Sequence, residues 1–191
     1  MTAFQVFRQS STFWIYPLLM TGFVFLAFSL ESNRTGLEFL LLWAVGLFGW
    51  TLLEYLTHRL GFHGDPDRRK LQRLRLRIHL SHHGFPRDLE RLFVRPVYSI
   101  PASAIFVGLS FLASGSWFTT GGLMCGLWSG FIYYEWVHCR LHFSNSERLP
   151  LKYQRQWHFY HHFVDEKKCF GVTNPLWDLV FGTFRKCERP E

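Results

Sequence analysis

The sequence predicts an all-α integral membrane protein, with about four transmembrane helices and a helical cap on one face of the bilayer. Three observations carry this. Apolar stretches recur at bilayer length, lysine and arginine gather on one side of them, and all ten histidines fall outside them at helical spacings. A chain of 191 residues is expected to be one domain. It is 48% hydrophobic and 19% aromatic, with 21 phenylalanines and 8 tryptophans, an unusual load for a soluble domain of this size.

The first span is expected at 13–30. One positive charge, Arg8, precedes it, and Phe28-Ser29-Leu30-Glu31 offers no small-x-small cleavage site, so it reads as an uncleaved span rather than a signal peptide. A short loop from Glu31 to Gly36 leads to a second span at 37–56. Residues 57–97 form the first part of the cap, where ten basic residues lie between Arg59 and Arg95. Spans three and four, at 98–114 and 117–137, are joined by Ser114-Gly115-Ser116 as a hairpin, and 138–191 complete the cap. Of 21 lysines and arginines, 20 fall on one side of this arrangement, which places both termini and the cap in the cytoplasm. The same bias accounts for the net charge of +7 and argues against a nucleic-acid partner.

The histidines form four clusters: His58 with His63, His79 with His82 and His83, His138 with His142, and His158 with His161 and His162. Neutral imidazole is the commonest nitrogen ligand for transition metals, and isolated histidines in a core do not repeat ligand spacings in this way. On a helix, i and i+4 share a face, so His138 and His142 reach one site. By the same spacing His79, His82 and His83 are expected to converge, as are His158, His161 and His162. His58 and His63 fit a regular helix poorly, since five residues turn through about 140°. With Gly61 and Gly64 at hand, the helix is expected to end there, so that His63 turns back from an irregular segment. All ten belong to the expected metal site, which their number suggests holds two ions, each with four or five nitrogen ligands.

Glu54 lies four residues before His58 and Glu135 three before His138, each at the cytoplasmic end of a span. A carboxylate placed there is expected to accept the far ring N–H of a ligating imidazole and fix its tautomer. Cys125, Cys139, Cys169 and Cys187 show no C-x2-C spacing and are expected to be reduced; Cys139 reads as packing rather than as a ligand. Ligand type does not choose among iron, zinc and copper. Attack on an unactivated C–H bond would need a redox metal and dioxygen, whereas a zinc pair would suit lipid hydrolysis.

The chain resembles the membrane-bound fatty acid hydroxylase superfamily, and within it the fatty acid 2-hydroxylases that act on sphingolipid acyl chains. The resemblance rests on Glu54-Tyr55 with His58 and His63, on Ile78-His79-Leu80-Ser81-His82-His83, on Glu135 through His142, and on Tyr153 through His162. The tail from Phe170 to Asp178, continuing through Phe181-Gly182-Thr183, points to the 2-hydroxylases in particular. The resemblance implies a single hydroxylase domain whose ten histidines hold two iron ions, with zinc able to take their place. It implies dioxygen as co-substrate, an external electron donor, and hydroxylation next to the carbonyl of a sphingolipid acyl chain or free fatty acid. Hydroxylation of ornithine lipids or sterols, or desaturation, stays open within the superfamily; outside it, a membrane cytochrome with bis-histidine haem is the alternative. Eukaryotic 2-hydroxylases carry an N-terminal haem domain, and this chain begins almost at its first span. A separate haem or iron–sulfur carrier and a bacterial inner membrane, rather than the endoplasmic reticulum, are therefore expected.

Arg73-Leu74-Arg75-Leu76-Arg77-Ile78 alternates with period two, yet the neighbouring histidines keep helical spacing. It reads as a basic interfacial helix, and Arg73 and Arg75 are the residues expected to meet an acidic redox partner. Gly171, Asn174 and Pro175 mark a turn before an amphipathic stretch at 176–184. The family match gives its one acid, Asp178, the role of orienting a histidine. Tyr134, Tyr153 and Tyr160 lie near the clusters and suit either core packing or an acyl channel.

Overall fold

The computed structural model describes residues 10–64, 69–144 and 148–186, with residues 69–71 described by their backbone alone. Arg8 and Cys187, both named above, lie outside them. The described residues are helical and contain no strand. They group into two compact units. Among the described residues, one comprises those up to Trp50 with Val94–Tyr133; the other comprises those of Thr51–Phe93 and those from Tyr134 onward.

The first unit is a packing of long helices. Helix α1 spans Thr12–Leu30 and α2 begins at Gly36 and runs to Leu56. In the loop that joins them, Glu38 accepts from the Thr35 backbone N–H while the Thr35 hydroxyl accepts from the Glu38 N–H, a reciprocal cap on α2. The unit's other two long helices, Pro96–Ser114 and Trp117–Phe143, meet at Gly115, whose φ of 64° ends the former in the left-handed conformation glycine tolerates.

Three candidate membrane spans are long and apolar enough: Thr12–Leu30, Gly36–Phe62 and Leu89–Ser114. Helix Trp117–Phe143, expected as a fourth, forms over its full length but is not among them. The physical reason is its burial. Phe118, Met124, Cys125, Trp128 and Phe131 are all buried, so this helix faces protein and need not be apolar throughout. Its glycines form the contact surface. A Cβ on Gly126 would run into the Trp43 carbonyl, one on Gly122 into Leu42, and one on Gly130 into the Trp50 ring, while Gly46 of α2 meets the Leu123 carbonyl in the same way. Close backbone approach is what small residues supply where no hydrophobic driving force separates helix from lipid. Trp43 Nε1 donates to Ser129 Oγ and Trp128 Nε1 to Ser103 Oγ, so the indole donors are satisfied away from water.

In the second unit, α2 does not stop at Leu56. It continues as a π-helical turn, Thr57–Phe62. Next come α3 (Arg69–Arg75), a second π-helical turn (Leu76–Leu80), α4 (Ser81–Gly84) and α5 (Leu89–Leu92), the last opened by Asp88 accepting from the Glu90 N–H. With Pro96–Ser114 as α6 and Trp117–Phe143 as α7, the unit closes with α8 (Leu151–Phe163) and the short α9 (Leu176–Val180).

Candidate metal centre

The π-helical turn removes the difficulty of the His58–His63 spacing. His63 N–H donates to the His58 carbonyl at 3.1 Å, an i→i+5 bond that puts residues five apart one turn apart. The helix ends at Phe62, between Gly61 and Gly64 as expected, and His63 lies just beyond it in non-helical backbone; what the spacing does not reveal is that the last turn is π-helical. Arg75 closes its end: the guanidinium donates to the carbonyls of Gly61 at 2.7 Å, Gly64 at 2.8 Å and Leu60 at 3.3 Å. Orphan carbonyls at a helix end need donors, and one planar fork supplies three bonds. Gly64 makes room, since a Cβ there would meet both the Leu60 carbonyl and the Arg75 guanidinium.

The ten histidines form two groups of five. His58, His63, His79, His83 and His161 make one; His82, His138, His142, His158 and His162 make the other. In each, one ring nitrogen per residue lies within 4.8 Å of all the others. The expectation that His79, His82 and His83 converge is corrected, and likewise that for His158, His161 and His162. In both, i and i+4 stay together and the middle residue crosses to the other group. At about 100° per residue, i+4 lies roughly 40° from i on one flank and i+3 roughly 60° away on the other, so a narrow site accepts one pair and releases the third ring. The groups are thus built alike: a preceding pair, an i/i+4 pair, and one ring from the other's helix.

Contacts inside each group are short. His79 Nε2 lies 3.0 Å from His58 Nε2 and 2.9 Å from His83 Nε2, and His63 Nε2 lies 3.1 Å from His161 Nε2. In the second group His142 Nε2 lies 3.1 Å from His82 Nε2 and 2.9 Å from His158 Nε2. Two ligand bonds of about 2.1 Å at a right angle would separate their nitrogens by about 3.0 Å, so the spacing suits lone pairs gathered on one cation. Both ring nitrogens of buried His138 and both of His162 lack a hydrogen-bond partner, a state native interiors avoid unless something else fills it. The two groups adjoin: the rings of His83 and His162 stack with centroids 4.0 Å apart.

Burial keeps these imidazoles neutral, which is the form that binds metal. It is the largest cause throughout; charge on neighbouring imidazoles comes second for His63, His79, His82, His83 and His158, whereas at His161 the bond to the Lys168 carbonyl and the charge of Asp165 oppose it. His82 and His161 are lowered to about 4, His63 to about 3 and His83 to about 2, from an ordinary value of 6.5. His79 and His158 also fall well below it.

Two rings have their tautomer set by backbone. His58 Nδ1–H donates to the Phe170 carbonyl and His161 Nδ1–H to that of Lys168, leaving each Nε2 lone pair toward its group. The carboxylates expected beside the rings act on that backbone. Glu54 accepts from the N–H groups of Val172 and Thr173 and from the Thr173 hydroxyl, at 2.6–2.8 Å. Asp178 accepts from Phe170 N–H, Gly171 N–H and the Thr183 hydroxyl, at 2.6–2.9 Å. Both acids therefore hold the loop that carries the carbonyl partner of His58. An i−4 spacing suggests a side-chain contact, but unpaired N–H groups of a tight loop are stronger claimants for a buried carboxylate. Glu135 is buried beside Tyr134, whose ring stacks on His138 at 5.5 Å, while Tyr153 is exposed and Tyr160 half-buried. Cys139 is buried, free and in neither group.

Two further residues, not marked by the sequence pattern, contribute. Glu166 lies 3.8 Å from His63 Nδ1, and Gln154 donates to the Thr173 carbonyl at 2.6 Å. Gln154 precedes His158 by four residues, a signal that could have found it. Arg75 was read as a docking residue, but it is buried and spent on carbonyls, whereas Arg73 and Arg77 are exposed.

Helices long and apolar enough to cross a membrane, with two adjoining groups of five imidazoles able to hold metal ions, define the class of protein. The chain belongs to the fatty acid hydroxylase family, whose profile matches residues 43–183. It is 30% identical to the dihydroceramide fatty acyl 2-hydroxylase of Arabidopsis thaliana, over 94% of this chain and 76% of that one. It is 36% identical to the fatty acid 2-hydroxylase of Macaca fascicularis, over 74% of this chain and 39% of that one. A solved structure of full-length scs7p, in which only the hydroxylase domain is visible, superposes with a TM-score of 0.76 at 31% identity, covering 91% of this chain and 66% of that one. The chain thus spans less than half the length of the mammalian relative.

Proposed function

We propose that this protein is a two-metal, O2-dependent monooxygenase that places a hydroxyl on carbon 2 of a fatty acyl chain, in a ceramide-type lipid or a free fatty acid. The observation that carries it is the pair of five-histidine groups in a chain whose relatives are named for 2-hydroxylation. The net change inserts one atom of O2 into a C–H bond and reduces the other to water, so two electrons and two protons come from outside. Iron, one ion per group, would supply the redox chemistry, because zinc has no accessible redox change. His58, His63, His79, His83 and His161 would hold one ion; His82, His138, His142, His158 and His162 the other. The protein's own part is to keep ten imidazoles neutral, fix the tautomers of His58 and His161 through backbone carbonyls, and hold the tail loop with Glu54 and Asp178. A separate haem or iron–sulfur protein is the electron donor, meeting exposed Arg73 and Arg77 on the cytoplasmic side.

The test is lipidomic. The chain is expressed with a compatible electron donor in a host that lacks 2-hydroxy lipids, beside a His158→Ala, His161→Ala variant. The expected product is an acyl chain heavier by one oxygen, located at carbon 2 by fragmentation and absent from the variant. Loss of two hydrogens would reassign the protein as a desaturase, and a hydroxyl at another carbon would overturn the position. A Soret band in the purified protein with no oxygenated lipid would replace the proposal with a haem site.

A further inference from the structure

Between Cys169 and Phe184 the chain carries a single charged residue, Asp178. That carboxylate is buried, both oxygens taken by backbone and hydroxyl donors, so it contributes nothing to the segment's outer surface. The side chains that do face outward are apolar: Leu176 is 41% exposed, Leu179 59%, Val180 61% and Phe181 48%. Four large exposed hydrophobics within six residues is a patch that proteins normally cover.

The segment's contacts say what covers it. Trp177 Nε1 donates to Thr51 Oγ1 at 2.9 Å, the Phe181 ring stacks on Tyr55 with centroids 5.3 Å apart, and Tyr55 bonds through its hydroxyl to Thr183. Thr51 and Tyr55 belong to the candidate membrane span Gly36–Phe62. The patch is therefore seated on a helix whose own outward face is made for lipid. Basic residues bracket it on both sides, Lys167 and Lys168 before and Arg185 and Lys186 after, as they do where a segment enters the bilayer from an anionic surface. We propose that Leu176, Leu179, Val180 and Phe181 insert into the bilayer beside the end of α2, making the tail that carries Asp178 a membrane-embedded element. The occupant of the patch is lipid acyl chain, with anionic head groups at the basic flanks.

The experiment uses the full chain, with Cys187→Ser, in vesicles of phosphatidylcholine and phosphatidylglycerol; the remaining cysteines are buried. A nitroxide is placed at Leu179→Cys and, separately, at Val180→Cys, with references at Leu41→Cys on α2 and at exposed Arg87→Cys, outside the candidate spans. Collision with dissolved O2 and with a water-soluble nickel chelate is read by power saturation. The expected result is that both tail labels behave as Leu41→Cys does, open to O2 and shielded from nickel. Open access to nickel, as at Arg87→Cys, would overturn the proposal. Shielding from both reagents would also overturn it, and spin–spin broadening between labelled copies would then identify a second chain as the cover. Two label positions guard against one substitution disturbing the fold, and a metal content matching that of the unlabelled chain confirms that it has not.

Discussion

At the scale of single residues, the metal centre depends on where buried carboxylates spend their oxygens. Asp178 accepts from the Phe170 and Gly171 N–H groups and Glu54 from the Val172 and Thr173 N–H groups and the Thr173 hydroxyl, so both close on the short loop from Phe170 to Thr173, while Asp178 also accepts from the Thr183 hydroxyl. That loop presents the carbonyl that takes the Nδ1 proton of His58. Asp178→Asn keeps the shape but replaces an acceptor-only group by one that also donates, so two backbone N–H groups and a hydroxyl compete for one amide oxygen. Outer partners of metal-bound imidazoles are typically worth 10- to 100-fold in affinity. Asp178→Asn is expected to weaken metal binding by about that factor in the His58 group alone, leaving the His138 group filled. Titration with a competing chelator, read as metal bound per chain, checks this; equal weakening of both ions would show that the substitution acts on the whole fold. This role was not legible from spacing. The four-residue interval from Glu54 to His58 advertises a side-chain pair, and nothing in the pattern marks backbone N–H groups more than a hundred residues away.

Among elements, the two that matter most are the π-helical turn and the α2–α7 contact. The ten histidines and the helices that bear them are read directly from clusters and apolar stretches. What the pattern could not show is helix type: a five-residue interval violates the α-helical period, and the violation is the signature of the π-turn itself. Nor could it show that Arg75, one of many arginines in a basic run, is drawn inward to the carbonyls of Leu60, Gly61 and Gly64. Arg75→Ala leaves those carbonyls without their donor and frees the turn that places His63. The expected outcome is metal content falling from two toward one per chain, while Arg73→Glu, at an exposed position on the same helix, leaves it at two. The fourth long helix shows a related limit. Its glycines dilute its hydropathy, yet they are what brings its backbone against Trp43 and Leu42. Gly126→Leu forces α7 away from α2 and is expected to destabilise by about 1–3 kcal/mol at least, seen as a lower midpoint of thermal unfolding in detergent.

For the whole molecule, ten neutral imidazoles gathered around two points make stability depend on protons and on metal in the same direction. An unfolded histidine titrates near 6.5, whereas in the folded chain His82 and His161 sit at about 4, His63 at about 3 and His83 at about 2. Because these folded values are depressed, the folded state binds fewer protons than the unfolded one. The metal-free protein is therefore at full stability above about pH 6.5 and loses stability progressively as pH falls through 6.5 toward the folded values. Metal adds to this, since an ion held by neutral lone pairs stabilises the folded state and is displaced by the same protons. Two curves are thus expected when thermal unfolding is followed by tryptophan fluorescence. Protein stripped with chelator unfolds at a lower temperature than loaded protein at pH 7.5, and both midpoints drop between pH 7.5 and 5. Across that range the gap between the curves closes as metal is released, and returning to pH 7.5 with added metal restores it. A loaded curve that stayed flat to pH 5 would show that the ions are not held by imidazole. A stripped curve that stayed flat while the loaded one fell would show that burial does not keep the rings neutral.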